Sequence, residues 1–409
     1  MELDELLWHI CAKLGKLSGF EIPASGRRSI LEGPISRRDL ITGLAKGFQA
    51  PLDLPMILED ACEAKFGCRR CVDACPEGAL EIYHAVGSPT PGYRLSLDSS
   101  KCTRCGLCAG VCPVGAVQMP SLPERAFIGL LEGMNRMRAE RRILVLISGD
   151  PGSVRRIPWV HVERIDDLRM VGVRWLAMAL ASIDLLVMKG VVDARLSRAI
   201  EIMSSSTGRI ELVGIDGDVE SAVMRHASGT GAPGRIEPSA YDPWSSYVSS
   251  LRVILPEGSG AEGLGMRDLH VSDTCTMCGA CASKCPHGAL RISADQGESG
   301  ALVFDPSLCT GCGLCVGVCP EGSISMEEQG VLNLRAHMVY EDELIRCARC
   351  GRPIYTRKFY ERMVAKLGRE DPMMMYCSEC KQRMIYERMF GVGGAQAGDP
   401  PRGKGRNRE

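Results

Sequence analysis

Cysteine spacing constrains this chain more than any other feature. Cys102, Cys105, Cys108 and Cys112 run as Cys-x2-Cys-x2-Cys-x3-Cys, and Pro113 follows. Cys275, Cys278, Cys281 and Cys285 repeat that spacing before Pro286, and Cys309, Cys312, Cys315 and Cys319 repeat it before Pro320. A fourth copy, Cys68, Cys71, Cys75 and Pro76, is variant at its start. Runs of this kind hold 4Fe–4S clusters, and the fourth cysteine ligates the other cluster of a pair. Thiolates so close in sequence converge on one iron–sulfur cube. The proline turns the chain so that the last thiolate points at the neighbouring cube. Three complete copies make chance a poor rival.

The shared-ligand rule sorts the thiols into sets. Cys275, Cys278, Cys281 and Cys319 are expected to hold one cube, and Cys309, Cys312, Cys315 and Cys285 a second. Cys102, Cys105, Cys108 and Cys75 make a third set. The fourth set has Cys68, Cys71 and Cys112 and needs one more ligand, because Lys65 stands where normal spacing puts a cysteine. Cys62 gives Cys-x5-Cys-x2-Cys-x3-Cys, and a longer loop can bring it round. The alternative is a three-cysteine site with a three-iron or labile cluster.

Four-thiolate cubes offer no general base and no open metal position. They exchange single electrons, at potentials tuned by hydrogen bonds to sulfur, local charge and burial. Arg69 and Arg70 lie inside one cysteine loop, Arg104 inside another and Lys284 inside a third. Cations beside a cube stabilise its reduced state; the alternative is that they are solvated loop residues.

Cys347, Cys350, Cys377 and Cys380 form two Cys-x2-Cys knuckles, which suit a tetrahedral structural zinc. A single iron also fits four thiolates. In rubredoxins a glycine follows both knuckles; here Gly351 follows the first and Lys381 the second, which favours zinc. The basic run from Arg352 to Arg369 between them reads as a docking face or a solvated helix face.

A chain of 409 residues suggests two to four domains. Hydrophobic content of 45% supplies a core, but aromatics at 5% mean that metal organises much of the chain. A net charge of −1 argues against nucleic acid as a partner. Metal thiolates need a reducing compartment, so the cytoplasm is expected. The acidic Met1–Glu5 start is no secretory signal, and Ser36–Ile41, though twin-arginine-like, lacks an apolar run after it. No apolar stretch is long enough to span a membrane; Val171–Val192 is broken by Arg174, Asp184 and Lys189. The protein is read as soluble or peripheral.

The fold class is α+β and multidomain. Residues 1–55 are a leader with a short helix carrying Leu3, Leu6, Leu7, Ile10 and Leu14, with Cys11 near its apolar face. Residues 56–123 and 267–330 are two modules of the same plan: strand, cysteine loop, short helix, strand, twice over. Residues 140–255 contain no cysteine. Strands are expected at Arg142–Ile147, Ile157–Val162, Ile183–Met188 and Arg209–Ile215, and helices at Asp167–Ser182, Asp193–Ser205 and Asp218–His226. That alternation implies a parallel sheet covered on both faces, folding as a separate colourless domain. Gly229–Pro243 reads as a turn-rich exit and Pro256–Gly265 as a flexible linker. Residues 340–390 hold a zinc-ribbon-like knuckle, and 391–409 a disordered tail.

These cysteine modules resemble bacterial two-cluster ferredoxins, polyferredoxins, and the multi-cluster subunits of hydrogenases and formate dehydrogenases. Ser36-Arg37-Arg38 shortly before a ferredoxin pair is similar to the accessory ferredoxin of periplasmic nitrate reductase, which is cytoplasmic. The phrase Arg156–Asp166, with Ala181–Gly190, resembles the iron–sulfur delta subunit of methyl-viologen-reducing hydrogenase. That family joins its hydrogenase to heterodisulfide reductase and carries a two-iron cluster on strand-end cysteines. Here those ends hold Ser148, His161 or Val162, and Lys189, so the resemblance implies a kept fold without its cluster. Together these features imply a non-catalytic electron-transfer subunit, with the middle domain as spacer between the two modules. The rival is a catalytic oxidoreductase with a nucleotide or substrate site in the middle domain, which lacks a Gly-x-Gly-x-x-Gly fingerprint.

Overall fold

The computed structural model describes residues 12, 13, 16, 54–85, 92–136, 139, 141–149, 159–226, 242–293 and 298–390. Most of the leader, with Cys11 and Ser36–Ile41, lies outside them, as do most of the Gly229–Pro243 exit and the 391–409 tail. Packing divides the chain into two units. The first comprises Met1–Asp273, Ala280–Arg291 and Val303–Val339; the second comprises Thr274–Gly279, Ile292–Leu302 and Tyr340–Glu409.

In the first unit, β1 (Met56–Ile57), α1 (Arg70–Ala74), β2 (Leu80–Ala85), β3 (Gly92–Leu97), α2 (Leu107–Val111) and β4 (Val117–Gln118) build the first module. β2 and β3 form an antiparallel hairpin from Leu80↔Leu97 to Ala85↔Gly92, and β1 pairs with β4. Its apolar core is small: Ala64, Leu80, Leu95, Ala116 and Val117 join Cys71, Cys108 and Cys112. Cysteines thus replace the aliphatic side chains that a module of this size would otherwise bury.

A helix that the sequence reading did not anticipate, α3 (Glu124–Arg136), leads into the middle sheet. β5 (Ile143–Ser148), β6 (Val160–Ile165), α4 (Val173–Ser182), β7 (Leu185–Lys189), α5 (Ala194–Thr207), β8 (Ile210–Val213), α6 (Val219–Arg225) and α7 (Pro243–Ile254) follow. The four strands are all parallel in the order β6-β5-β7-β8. Alternation along β5 and β7 sends Leu144, Leu146, Leu186 and Met188 to one face, against α4, α5 and α7. It sends Ile143, Val145, Ile147, Leu185 and Val187 to the other, against Val219, Ala222 and Val223 of α6. Asp193 and Asp218 cap α5 and α6 by accepting backbone N–H bonds. The expected Asp167–Ser182 helix is instead a 3-10 turn, Leu168–Met170, and then α4, separated at Gly172.

Two boundaries need correction. On its α4 face the middle sheet does not form a core of its own, because Phe127, Leu130 and Leu131 of α3, and Ala261, Leu264, Leu332 and Leu334, belong to the same cluster. Phe127 stacks on Trp175 with ring centroids 4.3 Å apart. Pro256–Gly265 is therefore not a flexible linker: Ala261 and Leu264 are buried, and Gly260 bridges to Val331.

The second module begins in this unit with β9 (Arg267–Val271) and α8 (Ala280–Lys284). It continues through β10 (Leu290–Ser293), β11 (Ser299–Phe304), α9 (Leu314–Gly317) and β12 (Ile324–Glu328). β9 and β12 pair antiparallel from Ile324↔Val271 to Glu328↔Arg267. In the second unit the later part of β13 (His337–Arg346) pairs with β14 (Pro353–Thr356). α10 (Arg357–Leu367), capped by the Thr356 hydroxyl and ended by Gly368, and α11 (Ser378–Phe390) complete it. Among the described residues no helix is long and apolar enough to cross a membrane.

One buried ion pair ties the first module to the middle sheet. Arg174 of α4 pairs with Glu124 of α3, their side chains 6% and 4% exposed, and Arg174 Nε donates to the Cys112 carbonyl at 3.1 Å. Removing one partner strands the other charge in a low-dielectric site. Glu124→Ala should therefore cost about 3–5 kcal/mol, whereas replacing both residues by apolar ones of similar volume should recover most of the loss. Denaturant unfolding of the single and double variants measures it; equal losses in both would show that the pair is not the cause.

Candidate metal centres

Each cysteine loop has to turn its thiols inward, and the backbone shows how. The residue before the second cysteine adopts a left-handed conformation in the complete runs: Arg104 at φ 62°, Met277 at φ 49° and Gly311 at φ 73°. Only the last of these is a glycine, so two of the loops hold a side chain in a region that it rarely occupies. Gly67 takes that conformation in the variant run, at φ 97°.

The thiols of the first module fall into two groups by mutual repulsion. Burial pushes the Cys71 thiol well up, and Cys112, Cys68, Cys62 and Cys108 push it the same way. Burial likewise raises Cys62; the N–H of Ala64 opposes it, and Cys112 adds to it. Cys68 is pushed up to about 11 by burial, against the N–H and charge of Arg70, with a further contribution from Cys112. The other group centres on Cys108, pushed up to about 12 by burial and then by Cys105, Cys102 and Cys75. Cys62 packs against the core that contains Cys71 and Cys112, while Lys65, at the position that spacing would give a ligand, hydrogen-bonds the Asp60 carbonyl at 2.8 Å.

In the second module Cys285, Cys309, Cys312 and Cys315 line one cavity of the first unit, with Leu269, Phe304 and Met326 among its other walls. Burial pushes Cys315 up to about 12, and Cys309, Cys312 and Cys285 reinforce it. Of the remaining expected set, Cys281 and Cys319 lie in the first unit and Cys275 and Cys278 in the second.

Backbone donors already point at sulfur. The N–H four residues beyond the fourth cysteine donates to it in three runs: Ala79 to Cys75 at 3.3 Å, Ala116 to Cys112 at 3.1 Å and Ser323 to Cys319 at 3.3 Å. Ser323 replaces the alanine of the other runs, and its hydroxyl oxygen also lies 3.2 Å from Cys319 Sγ. Burial raises the Cys319 thiol, but the Ser323 hydroxyl and nearby N–H groups outweigh it and hold it below its ordinary value. Donors aimed at a thiolate stabilise negative charge there, which suits a metal-bound sulfur.

In the second unit the sulfur atoms of Cys347, Cys350, Cys377 and Cys380 all lie within 4.8 Å of one another. Cys350 Sγ and Cys377 Sγ are 3.7 Å apart. Burial raises the Cys347 thiol, but N–H groups of Cys377, Cys350 and Arg349 overcome it and bring it down to about 6. The basic stretch around this site is largely paired: Arg349 with Glu387, Arg352 with Glu379 and Arg357 with Glu343.

The sequence marks Arg70 as a loop cation but gives no sign of the contacts that join the modules. Glu63, buried beside Cys62, pairs with His287 Nε2 and accepts from the Thr310 hydroxyl at 2.8 Å. Arg70 Nη2 donates to the Gly265 carbonyl at 3.1 Å. The Glu63 contacts bring the first module directly against second-module residues of the first unit, so the middle sheet does not stand between them as a spacer. It packs instead on α2: a Cβ on Gly106 would lie 2.5 Å from Met170 Cβ, and one on Gly172 2.8 Å from the Gly110 carbonyl. Nothing local in the sequence signals partners about 200 or more positions away.

The family model of the 4Fe-4S dicluster domain matches residues 62–116 and again residues 274–323. A subunit of the ion-translocating oxidoreductase complex of Methanosarcina acetivorans is 30% identical over 67 residues, 16% of this chain and 21% of that protein. Ferredoxin-type protein NapF of Escherichia coli K12 is 40% identical over 67 residues, 16% of this chain and 39% of the relative. The chain thus spans well under half the length of either. Pyruvate synthase subunit PorD of Methanothermobacter marburgensis is 33% identical over 86 residues, 21% of this chain but 83% of PorD. With two dicluster matches and a relative at 33% identity covered over 83% of its length, the chain belongs to the 4Fe–4S dicluster ferredoxin family.

Proposed function

We propose that this chain is a four-cluster electron relay that serves as a wiring subunit of a larger oxidoreductase. The grouping of Cys62 with Cys68, Cys71 and Cys112 carries the reading, because it completes a fourth set of four thiols. The other sets are Cys75, Cys102, Cys105, Cys108; Cys285, Cys309, Cys312, Cys315; and Cys275, Cys278, Cys281, Cys319. When bound, 4Fe–4S clusters supply reversible one-electron transfer at potentials set by their surroundings. The chain's own part is to hold the thiolates, direct N–H groups at them and keep water away. The partner class is a reducing-compartment oxidoreductase such as a hydrogenase, a formate dehydrogenase or a heterodisulfide-reductase-like complex. Relatives named as subunits of an ion-translocating oxidoreductase and of pyruvate synthase favour such a complex.

The middle sheet fits a hydrogenase delta-like domain that has lost its cluster, since its strand ends offer Ser148 and Lys189 rather than thiols. At the C-terminal knuckle, tetrahedral metal–sulfur bonds of about 2.3 Å separate the sulfurs by about 3.8 Å. The 3.7 Å separation of Cys350 and Cys377 fits that, and a structural zinc is the occupant that the knuckle sequence favours.

Anaerobically reconstituted protein should hold about sixteen iron atoms and one further metal, as four cubes and a knuckle require. Cys62→Ala should remove or convert one cluster, lowering iron and changing the EPR spectrum while the other three clusters persist. An unaltered iron count and spectrum would leave Cys62 a bystander.

The metal-free protein should depend on pH. A thiol whose folded pKa lies above its unfolded value contributes its stability in full below the unfolded pKa and loses it as pH rises through the folded one. Cys68 and Cys309 are raised from 9.0 to about 11. The apo form should therefore lose stability between about pH 9 and pH 11, and the loaded form, whose thiols are already deprotonated by metal, should lose much less. Thermal melts of both forms across that range test this; parallel pH profiles would contradict it.

A further inference from the structure

We infer that Arg70 stands between two clusters of different modules, the one on Cys62, Cys68, Cys71 and Cys112 and the one on Cys285, Cys309, Cys312 and Cys315. Its fixed charge raises the potential of both and makes this contact the electron passage between the modules. The inference rests on the reading above that these thiols hold clusters.

The position is unusual by comparison with the chain's own repeats. Arg70 precedes Cys71 as Leu107 precedes Cys108, Ala280 precedes Cys281 and Leu314 precedes Cys315. Three runs place an apolar residue at the start of the short helix; this one places a guanidinium. The side chain is half-buried rather than fully solvated as a loop arginine would be. Its Nε is enclosed without a hydrogen-bond partner, and its Nη2 is held by the Gly265 carbonyl.

The guanidinium ends at the loop of the second module. A Cβ on Gly311, between Cys309 and Cys312, would lie 3.1 Å from Arg70 Cζ and 2.9 Å from Arg267 Cγ. From the other side, a Cβ on Gly67 would lie 4.0 Å from the Cys312 carbonyl oxygen. The loop before Cys68 thus faces the loop before Cys312, and Arg70 fills the space between them. Other charges bracket the junction. Arg267 adds a second cation whose Nε is also enclosed and unpartnered. Glu328 accepts the N–H groups of Gly263 and Gly265 at 2.9 and 3.0 Å, and Glu63 is engaged by His287 and Thr310. Burial and Arg267 disfavour the protonated form of Arg70, while Cys68, Cys309 and Glu328 favour it, so both thiol groups act on this one side chain.

An electron crossing here would leave the cluster held by one thiol set and enter the cluster held by the other, with the thiolates unchanged and no proton or group transferred. Added negative charge on either side meets the same half-buried cation, where screening by water is reduced. A cation shared in this way lifts both potentials together and keeps the step between them shallow.

The test is a potentiometric titration of the reconstituted full chain, followed by EPR, with Arg70→Leu, Arg70→Gln and Arg70→Lys. Leucine is the residue that two sister runs carry at this position, so Arg70→Leu preserves the local pattern; glutamine is a second uncharged variant. Cys68→Ala and Cys309→Ala identify the two signals concerned. The expected result is a fall in those two midpoints in both uncharged variants, little change in Arg70→Lys, and fixed values for the other two clusters at unchanged iron content. A shift of one midpoint only, of all four together, or of none overturns the inference. A wild-type protein that binds no iron at these thiols refutes the cluster reading instead.

Discussion

Four thiol groups cannot share one buried pocket as thiolates unless a cation takes the place of their protons. Burial raises Cys62, Cys68, Cys71, Cys108, Cys309 and Cys315, and neighbouring sulfurs raise them further. The N–H groups aimed at Cys75, Cys112 and Cys319 act in the opposite sense, since they favour negative sulfur. A fold that both crowds its thiols and solvates them as anions is built for metal.

The same constraint explains the junctions. A cluster set has to be shielded, and in the first unit three contacts of the first module are each made by something different. Helix α2 lies on the turn at Arg169–Met170, where the small residues Gly106, Gly110 and Gly172 permit backbone contact. The Cys112 carbonyl is capped by Arg174, itself neutralised by Glu124. Arg70 of the Cys68 loop lies against Gly265 and Gly311. Polar side chains carry two of these three contacts, and each has a counter-charge or a carbonyl to receive it, as buried charge requires.

Legibility in the sequence tracked the distance over which each signal acts. Ligand spacing is local, so four candidate thiol sets can be written down from the sequence, with Cys62 proposed in place of Lys65. The apolar runs of β5 and β7 gave the parallel sheet, because a strand buried on both faces needs no partner to be recognised. Helix α7 had a readable start, Asp242 as cap followed by Pro243 at the first turn, yet the Gly and Pro content just before it pointed to an exit loop. Helix α3 carries Phe127, Leu130, Leu131 and Met134 at helical spacing and was passed over because it follows a metal module directly. The contacts of Glu63 and Arg70 were not readable, since a loop arginine looks the same in sequence whether it faces water or another module.

The middle sheet has a physical role even without a thiol of its own. The first module buries a handful of aliphatic residues around its cysteines, too few to offset the conformational entropy of ordering its loops. The cluster around β5, β7 and α4 is several times larger and draws in α3 from one side and Ala261, Leu264, Leu332 and Leu334 from the other. Those flanking residues lie next in sequence to the last strand of the first module and to strands β9 and β12 of the second. The apolar core therefore anchors both modules at their chain ends, and the metal organises what lies beyond. In such an arrangement the sheet fixes where the modules meet, and the charges at their contact decide what passes between them.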